Sequence, residues 1–407
     1  MREVAQQVGD RPREAEALYQ LGMSCLWAHD FEQALDYAEQ ARAIASAIDA
    51  KDSLAGSIWV SGKVPMVTGD LEKASSSFET SLQLSREASD KMLEGFSLWD
   101  LGLLCSWQGE YEQALQLQEQ AITLGQAHNL GLVLIWTIWM KGLTCGGKGA
   151  YDEAVVSLLE ALKLSEQLGD TFFRCRTLNT LGWLYGEIYN LEQAISYNRE
   201  AAEASYTIGE PELIRYAEIN LANNYLVMGD LERAQHYLDQ MSHAMQQPET
   251  WGDEWMKWRY AQYLYHSSGE LWLTKGSAGQ ALEYAEACLK LAEPTKSRKN
   301  LVKGWRLKGQ ALLAQGHGDQ VAEALSRALR LAQEIGNPPQ LWKTFAALGA
   351  LYEWQRDTRQ ARTAYRSAWE VINGVAEGLR DHDLKRTFLG AQPIQQIQES
   401  LVRTAET

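Results

Sequence analysis

The residue types that could support catalysis are present but are not arranged for it. Residues 142–148 read GLTCGGK, close to the phosphate-binding pattern GxxxxGK[ST], but Gly149 stands where a Ser or Thr would bind Mg²⁺. The surrounding pattern is helical, whereas a phosphate-binding loop follows a strand. The seven His are scattered, and neither HExxH nor CxxC occurs. The sequence therefore predicts a protein that is not an enzyme and that needs no metal and no cofactor.

The cysteines also fit a structural role. Cys25, Cys105 and Cys145 each lie three residues after a glycine, in a position that Tyr185 and Tyr225 occupy elsewhere in the chain. Equivalent positions in successive repeats are typically buried, and a thiol there acts as a small hydrophobic group. We therefore expect reduced, structural cysteines in a cytoplasmic protein.

The side chains best suited to binding a ligand form a ladder at intervals of 40 residues. Its first members are aromatic, and the positions further along the chain are polar or basic. The predicted ligand-binding residues are Tyr19, Trp59, Lys63, Trp99, Trp136, Trp139, Arg176, Asn179, Trp183, Asn220, Asn223, His266, Lys303 and Arg306.

The aromatic ladder has two interpretations. Its tryptophans can pack between helices, or they can line an open surface, since a large exposed apolar patch normally marks a contact site. Leu, Tyr and Cys already fill the positions expected in the core, which favours the open surface. A peptide would then need both the tryptophans and the polar group Asn220, Asn223 and Arg306, whereas a small ligand would need only one cluster.

Charge suggests the character of the ligand. The chain has a net charge of −15, so a general nucleic-acid surface is not expected. The ladder is nearly neutral by comparison, because basic and acidic residues are balanced at its positions: Lys63, Arg176, Lys303, Arg306 and Lys343 against Glu16, Glu187, Glu270 and Glu353. A ligand with some carboxylate or phosphate character would suit such a surface.

A repeat of 40 residues positions all of these side chains. Most units have a Gly, then a small residue twelve positions later and another seven beyond that, as in Gly102, Ala114 and Ala121. The sixth unit has Ala222 in place of the Gly and Met241 at the last position, and the eighth has Val321 at the middle one. Nine such units occur, with a slip of seven residues after the sixth. Small residues at these places let the two helices of a hairpin, A and B, approach closely. Asp30 and Asp70 precede helix B of their units and are typical N-caps.

This spacing resembles the tetratricopeptide repeat, whose usual unit is about 34 residues. The longer units here also resemble the C-terminal sensor arrays of bacterial STAND signalling NTPases and MalT-type regulators. The resemblance implies an all-α, right-handed superhelical solenoid of about nine hairpins that binds a peptide or protein segment in its concave groove. A MalT-like sensor would instead bind a sugar or metabolite, and a purely structural scaffold is the third alternative.

The domain organisation follows from the same register. Residues 1–10 are interpreted as the end of a truncated preceding repeat, and residues 11–247 as repeats one to six. Residues 248–375 form repeats seven to nine after the inserted residues, and residues 376–407 form C-terminal capping helices. We expect Trp251, Trp255 and Trp258 to shield a changed angle at the insertion. This register also suggests an upstream effector domain in a longer signalling protein. The apolar run 131–140 is too short to span a membrane.

Overall fold

The computed structural model describes residues 2–247 and 256–406, and every regular element within them is an α-helix. The first thirteen helices are α1 (Arg2–Val8), α2 (Arg11–Trp27), α3 (Phe31–Ile48), α4 (Lys51–Thr68), α5 (Leu71–Ala88), α6 (Lys91–Gln108), α7 (Tyr111–His128), α8 (Gly131–Lys148), α9 (Tyr151–Leu168), α10 (Thr171–Glu187), α11 (Leu191–Ile208), α12 (Pro211–Met228) and α13 (Leu231–Met245). The remaining helices are α14 (Lys257–Thr274), α15 (Ala278–Ala292), α16 (Arg298–Ala314), α17 (Gly318–Ile335), α18 (Pro338–Trp354), α19 (Thr358–Gly378), α20 (His382–Gly390) and α21 (Gln392–Glu406). The prediction of an all-α helical repeat is confirmed.

Capping residues mark the ends of several helices. Asp30 caps α3 by accepting a hydrogen bond from the backbone N–H of Gln33 at 3.1 Å, which satisfies one of the free amides of the first turn. Gly69 ends α4 at φ 101° and Gly229 ends α12 at φ 85°. Glycine is favoured there because side chains rarely tolerate positive φ.

The repeat glycines allow the helices of a hairpin to approach closely. A Cβ atom added at Gly142 of α8 would lie 2.5 Å from Leu158 Cγ of α9, and one added at Gly309 of α16 would lie 2.5 Å from Leu325 Cδ2 of α17. Real Cβ atoms essentially never come so near another heavy atom. Ala154 of α9 is completely buried at the same crossing. The small residues of the repeat are therefore required by close packing.

The described residues form two compact units. The first lies within Met1–Cys105, Glu112–Met140 and Pro248–Trp258, and the second within Ser106–Tyr111, Lys141–Gln247 and Arg259–Thr407. The predicted boundaries at the insertion are not tested by this division. Trp251 and Trp255 lie outside the described residues. Trp258 packs over Gly69, whose added Cβ would lie 3.1 Å from the indole Cγ, and this contact was not predicted.

The helices of the second unit close on themselves through contacts between residues far apart in sequence. Asn337 Nδ2 at the start of α18 donates to the carbonyl oxygen of Gly147 near the end of α8, at 2.6 Å. The same nitrogen donates to the Tyr111 hydroxyl at 3.2 Å. Arg298 Nε at the start of α16 donates to the carbonyl oxygen of Gln108 at 2.7 Å. These bonds fix the early helices of the unit against the late ones.

Two helices, α20 and α21, follow the last hairpin of the described chain. The last helix of the ninth repeat runs on to Gly378. Asp381 then caps α20 by accepting from the N–H groups of Asp383 and Leu384. Across residues 2–247 and 256–406, no helix combines the length and the apolar character that crossing a membrane requires.

Candidate functional site

The aromatic ladder of the first unit is buried, which corrects the expectation of an open aromatic surface. Trp59 is 1% exposed, Trp139 2%, Trp99 8% and Trp136 9%. Trp59 Nε1 donates to Asp100 Oδ2 at 2.8 Å, and Trp99 Nε1 donates to the carbonyl oxygen of Trp136 at 3.1 Å. The longer helices have room for these rings between them in addition to the Leu, Tyr and Cys core. Packing is therefore the role that the structure favours for this ladder.

Lys63 belongs to the same interior. Its Nζ lies 2.5 Å from Asp100 Oδ1 and 4.6 Å from the ring centroids of both Trp59 and Trp99. Burial lowers the pKa of Lys63 and raises that of Asp100 to about 6, while the attraction between the two charges opposes both shifts. Lys63 is therefore a packed member of a buried ion pair and faces no groove.

Three further predicted residues are also occupied by contacts within the protein. The half-buried ring of Tyr19 lies against Gly56, whose added Cβ would be 2.9 Å from Tyr19 Cδ2. Arg176 Nη2 donates to both carboxylate oxygens of Glu212 at 2.9 Å. Asn179 Oδ1 accepts from Asn220 Nδ2 at 3.1 Å. Tyr19, Arg176 and Asn179 do not line the cavity of the second unit.

The other six predicted residues line one cavity in the second unit. Its volume is about 450 Å³, and its walls come from α8, α10, α12, α14, α16, α18 and the start of α21. The predicted residues in the lining are Trp183, Asn220, Asn223, His266, Lys303 and Arg306. Others in the lining include Glu187, Tyr189, Asn224, Arg259, Tyr263, Glu270, Lys299, Gln310, Gln340, Trp342 and Lys343.

Helical spacing explains why these side chains converge. On α16, Lys299, Lys303, Arg306 and Gln310 recur at intervals of four, three and four residues, which places them on one face of the helix. The small residues of the repeat direct the other face towards the neighbouring helices, as at Gly309. The cavity is therefore lined by the first helix, helix A, of successive hairpins. The lining face of each is the one that does not pack against helix B of the same hairpin.

The cavity is strongly positive. Five cationic side chains, Arg259, Lys299, Lys303, Arg306 and Lys343, line it together with only two carboxylates, Glu187 and Glu270. Within the part of the chain that the structure describes, none of Lys299, Lys303, Arg306 and Lys343 pairs with a carboxylate at ion-pair distance. This excess of three positive charges lies in a protein whose net charge is −15.

The pKa shifts reflect burial and crowding of like charges. Burial and the neighbouring Lys299 lower the pKa of Lys303 to about 8. Burial would raise the pKa of Glu187, but the attraction of Lys343, Lys299 and Lys303 outweighs it and lowers that pKa. Both Lys303 and Glu187 are therefore mainly charged at neutral pH.

His266 is neutral in this environment. Burial and the nearby cations Lys303 and Arg306 lower its pKa well below the ordinary value. Its Nε2 lies 3.4 Å from Glu270 Oε1. Within the described residues no three His, Cys, Asp or Glu side chains are placed to hold a metal ion.

Carboxamides and hydroxyls supply the other polar groups of the lining. Asn223 Oδ1 accepts from Ser267 Oγ at 2.6 Å, and Gln340 Oε1 accepts from Arg306 Nη1 at 2.7 Å. Asn224 is only 4% exposed, and its Nδ2 has no hydrogen-bond partner among the described residues. A carboxamide both donates and accepts, so Asn side chains can match the N–H and C=O groups of a bound backbone.

Sequence reasoning did not single out Arg259 and Lys299. Each lies about one helical turn before the first ladder position of its repeat, on the same face of the helix as that position. The long unit extends the first helix towards its N-terminus, so the lining continues beyond the positions found in a shorter repeat. A count of this face over the full helix would have identified both residues.

The family comparison agrees with the observed repeats. Residues 62–127 match the tetratricopeptide repeat family. The chain therefore carries tetratricopeptide repeats, as the sequence predicted. None of the curated proteins compared with the chain matches it.

Solved structures with the same fold cover most of the chain. A Rap conjugation gene regulator of the plasmid pLS20, in complex with the Phr* peptide, has a TM-score of 0.58 and 16% identity, over 91% of this chain and 99% of that chain. The apo form of RapI has a TM-score of 0.54 and 15% identity, over 70% and 99%. NprR in complex with its cognate peptide NprX has a TM-score of 0.52 and 11% identity, over 83% and 98%. The narrower resemblance to STAND and MalT-type sensors is not confirmed by these relatives.

Proposed function

We propose that the chain is a non-catalytic recognition module that binds a short peptide segment in the cavity of the second unit. The observation that carries this proposal is the lining itself, which combines carboxamides with cations that have no ion-pair partner among the described residues. Pockets that bind small ligands have such a form, with a few placed polar groups among apolar and aromatic walls.

The character of the lining favours a peptide. A peptide backbone presents alternating donors and acceptors, and the cavity provides Asn220, Asn223 and Asn224 along one face of α12. Trp183 and Trp342 supply aromatic surface beside them. Two relatives with this fold were solved with bound peptides, which supports the same class of ligand here.

A small anionic metabolite is the second candidate. The cavity volume of about 450 Å³ lies within the range of roughly 300–1,000 Å³ that is typical of small-molecule sites. Because the tryptophans of the first unit are buried, the proposed footprint of either ligand is the cavity alone. This is why we propose a short segment and not a long peptide that follows the whole repeat array.

A direct test uses a soluble pool of random synthetic pentapeptides. The protein is incubated with the pool, separated from free peptide by size exclusion, and the retained peptides are sequenced by mass spectrometry. We expect the wild-type protein to retain a defined subset, and the cavity variant Asn223→Ala/Arg306→Gln to lose it. The matched variant Gln333→Ala changes an exposed amide on α17 and should retain the subset. Retention of no peptide by the folded wild-type protein would contradict the proposal.

The biological setting belongs to the same proposal. We propose that the module is the sensor part of a larger cytoplasmic regulatory protein with an effector domain, in which ligand binding in the cavity changes the state of the effector. The five free cysteines are compatible with a reducing compartment. Purification of the native protein from its source, followed by mass measurement of the intact chain, tests whether such a domain is attached.

A further inference from the structure

The cavity holds more positive charge than its own carboxylates balance. The positive side chains come from three successive first helices: α14 supplies Arg259, α16 supplies Lys299, Lys303 and Arg306, and α18 supplies Lys343. Burying like charges together is unfavourable unless they are paired, because water no longer screens them. An arrangement of this kind is expected where a ligand brings the missing negative charge.

The contacts of these cations show that they are held but not neutralised. Lys299 Nζ lies 5.0 Å from the ring centroid of Trp183, and Lys303 Nζ lies 5.9 Å from that of Tyr263. Aromatic faces attract a cation weakly and leave its N–H donors free for other acceptors. Arg306 is buried and uses Nη1 to donate to Gln340 Oε1, a neutral group.

A second, independent feature points to a bound group in the same cavity. The Nδ2 of the buried Asn224 has no hydrogen-bond partner among the described residues. Its Oδ1 packs against Gly186, where an added Cβ would lie only 2.6 Å away, so the carboxamide has little room to turn. A buried donor without an acceptor is costly, and a ligand carbonyl or carboxylate oxygen would satisfy it.

We infer that the segment bound in this cavity is acidic, with several carboxylates that lie against Lys303, Arg306 and Lys343 while Asn224 donates to one of its oxygens. The inference rests on the proposed peptide binding and adds the charge class of the peptide. The carboxylates can belong to Asp or Glu side chains or to the C-terminus of the segment. Each would form a charge-assisted hydrogen bond, which is about twice as strong as a neutral one.

The composition of the retained peptides tests this inference without any variant. A random pentapeptide pool is offered to the wild-type protein once with free C-terminal acids and once with C-terminal amides. We expect Asp and Glu to exceed Lys and Arg by about tenfold among the retained peptides, because like charges are rejected and opposite charges are favoured. Loss of retention in the amide pool alone would assign the C-terminal carboxylate as the main anion and would support the inference.

Charge-neutralising variants provide the second measurement. An acidic peptide retained in the first experiment is titrated calorimetrically into the wild type, into Lys303→Gln/Lys343→Gln, and into Lys290→Gln, which changes an exposed lysine on α15. We expect the double variant to bind about 100-fold more weakly and Lys290→Gln to bind as the wild type does. The single variant Lys303→Gln is used if helicity by circular dichroism shows that the double variant does not fold.

The two proposals fail in different ways. Retention of neutral or basic peptides, with equal affinity for wild type and Lys303→Gln, would overturn the acidic assignment and leave peptide binding in place. Retention of no peptide from either pool would overturn peptide binding, and the acidic assignment with it.

Discussion

Lys303 carries the clearest pH dependence in the cavity. Its pKa is lowered to about 8, first by burial and then by Lys299, so the folded protein loses this charge as the pH rises through 8. Lys299 faces it from the same helix, and Glu187 faces it from α10. His266 and Glu270 face it from α14, and Lys343 from α18. A bound carboxylate favours the charged form and therefore opposes deprotonation.

We predict that an acidic pentapeptide binds about tenfold more weakly at pH 9 than at pH 7, because only the protonated lysine attracts it. Calorimetry in buffers of different ionisation enthalpy should also detect proton uptake on binding near pH 8. Lys303→Arg keeps its charge throughout this range and is the control, with a much flatter pH profile. An equally steep profile for Lys303→Arg would assign the effect to another group.

For Trp59 the sequence allowed packing between helices but favoured an open surface. It is 1% exposed, and its Nε1 donates to the buried carboxylate of Asp100. We predict that Trp59→Ala lowers the free energy of unfolding by about 3–5 kcal/mol, because a large cavity forms and a buried acceptor loses a donor. Urea unfolding measures the loss. A variant that is as stable as the parent but binds peptide more weakly would show that the ladder is a ligand-binding surface.

Six of the predicted ligand-binding residues line the cavity, but the sequence could not distinguish them from those that only pack between helices. Trp183 and Trp59 belong to the same pattern of residues in the repeat, yet one lines the cavity and the other is enclosed. The difference depends on which neighbouring rings fill the space beside each residue. Trp59 lies 5.8 Å from Phe96 between ring centroids, and Phe96 stacks at 4.9 Å on Trp136. Periodicity shows which face a residue occupies but not how closely the next helix covers it.

Helix crossings depend on the repeat glycines. In the second unit a Cβ atom at Gly142 would lie 2.5 Å from Leu158 Cγ and 3.2 Å from the carbonyl oxygen of Ala154. We predict that Gly142→Ala destabilises the protein by about 1–3 kcal/mol through overpacking, although alanine favours helix. Thermal and urea unfolding measure the change.

Gly374 is the matched control for this crossing. It lies in α19, and an added Cβ would meet nothing within 4 Å. Gly374→Ala should therefore stabilise the protein by about 0.5–1 kcal/mol through helix propensity. If both substitutions change stability in the same direction, close packing is not what selects glycine at position 142.

Helix boundaries were largely predictable because capping is local. Asp30, Asp230 and Gly229 act within one turn of their own helix, so the sequence contains the necessary information. The length of each first helix was less evident. The first turn of α16 carries Lys299 and extends the lining of the cavity. That turn depends on the extra residues of the 40-residue unit.

Closure of the second unit joins residues that are 190 or more apart in sequence. Asn337 makes this contact through Nδ2, which donates to Gly147 O and to the Tyr111 hydroxyl, and its Oδ1 caps α18 by accepting from Gln340 N–H. We predict that Asn337→Ala lowers the free energy of unfolding by about 2–4 kcal/mol, since it removes a cap and buried hydrogen bonds together.

Asn190→Ala separates capping from closure. Asn190 also caps a helix, by accepting from Gln193 N–H at 3.4 Å on the exposed side of α11. Its loss should cost about 1 kcal/mol, the usual contribution of a cap. Equal losses in urea unfolding for the two variants would mean that the contact with Gly147 does not stabilise the unit.

The repeat predicted an all-α array of hairpins, and the structure agrees, but the closing contacts were not predictable. They depend on small differences in the angle between successive repeats, which accumulate over several units. A periodic pattern fixes neighbours in the array and does not determine which distant repeats meet. The volume of the cavity depends on the same accumulated angles.

Hydrogen exchange measured by mass spectrometry tests the central claim most directly. The protein is compared with and without a saturating acidic pentapeptide from the retained pool, and exchange is followed for each helix. We predict slower exchange in α12, α16 and α18, which line the cavity, and unchanged exchange in α4, which carries the buried Trp59. Protection confined to α4 and α6, with none in the helices of the cavity, would contradict the account.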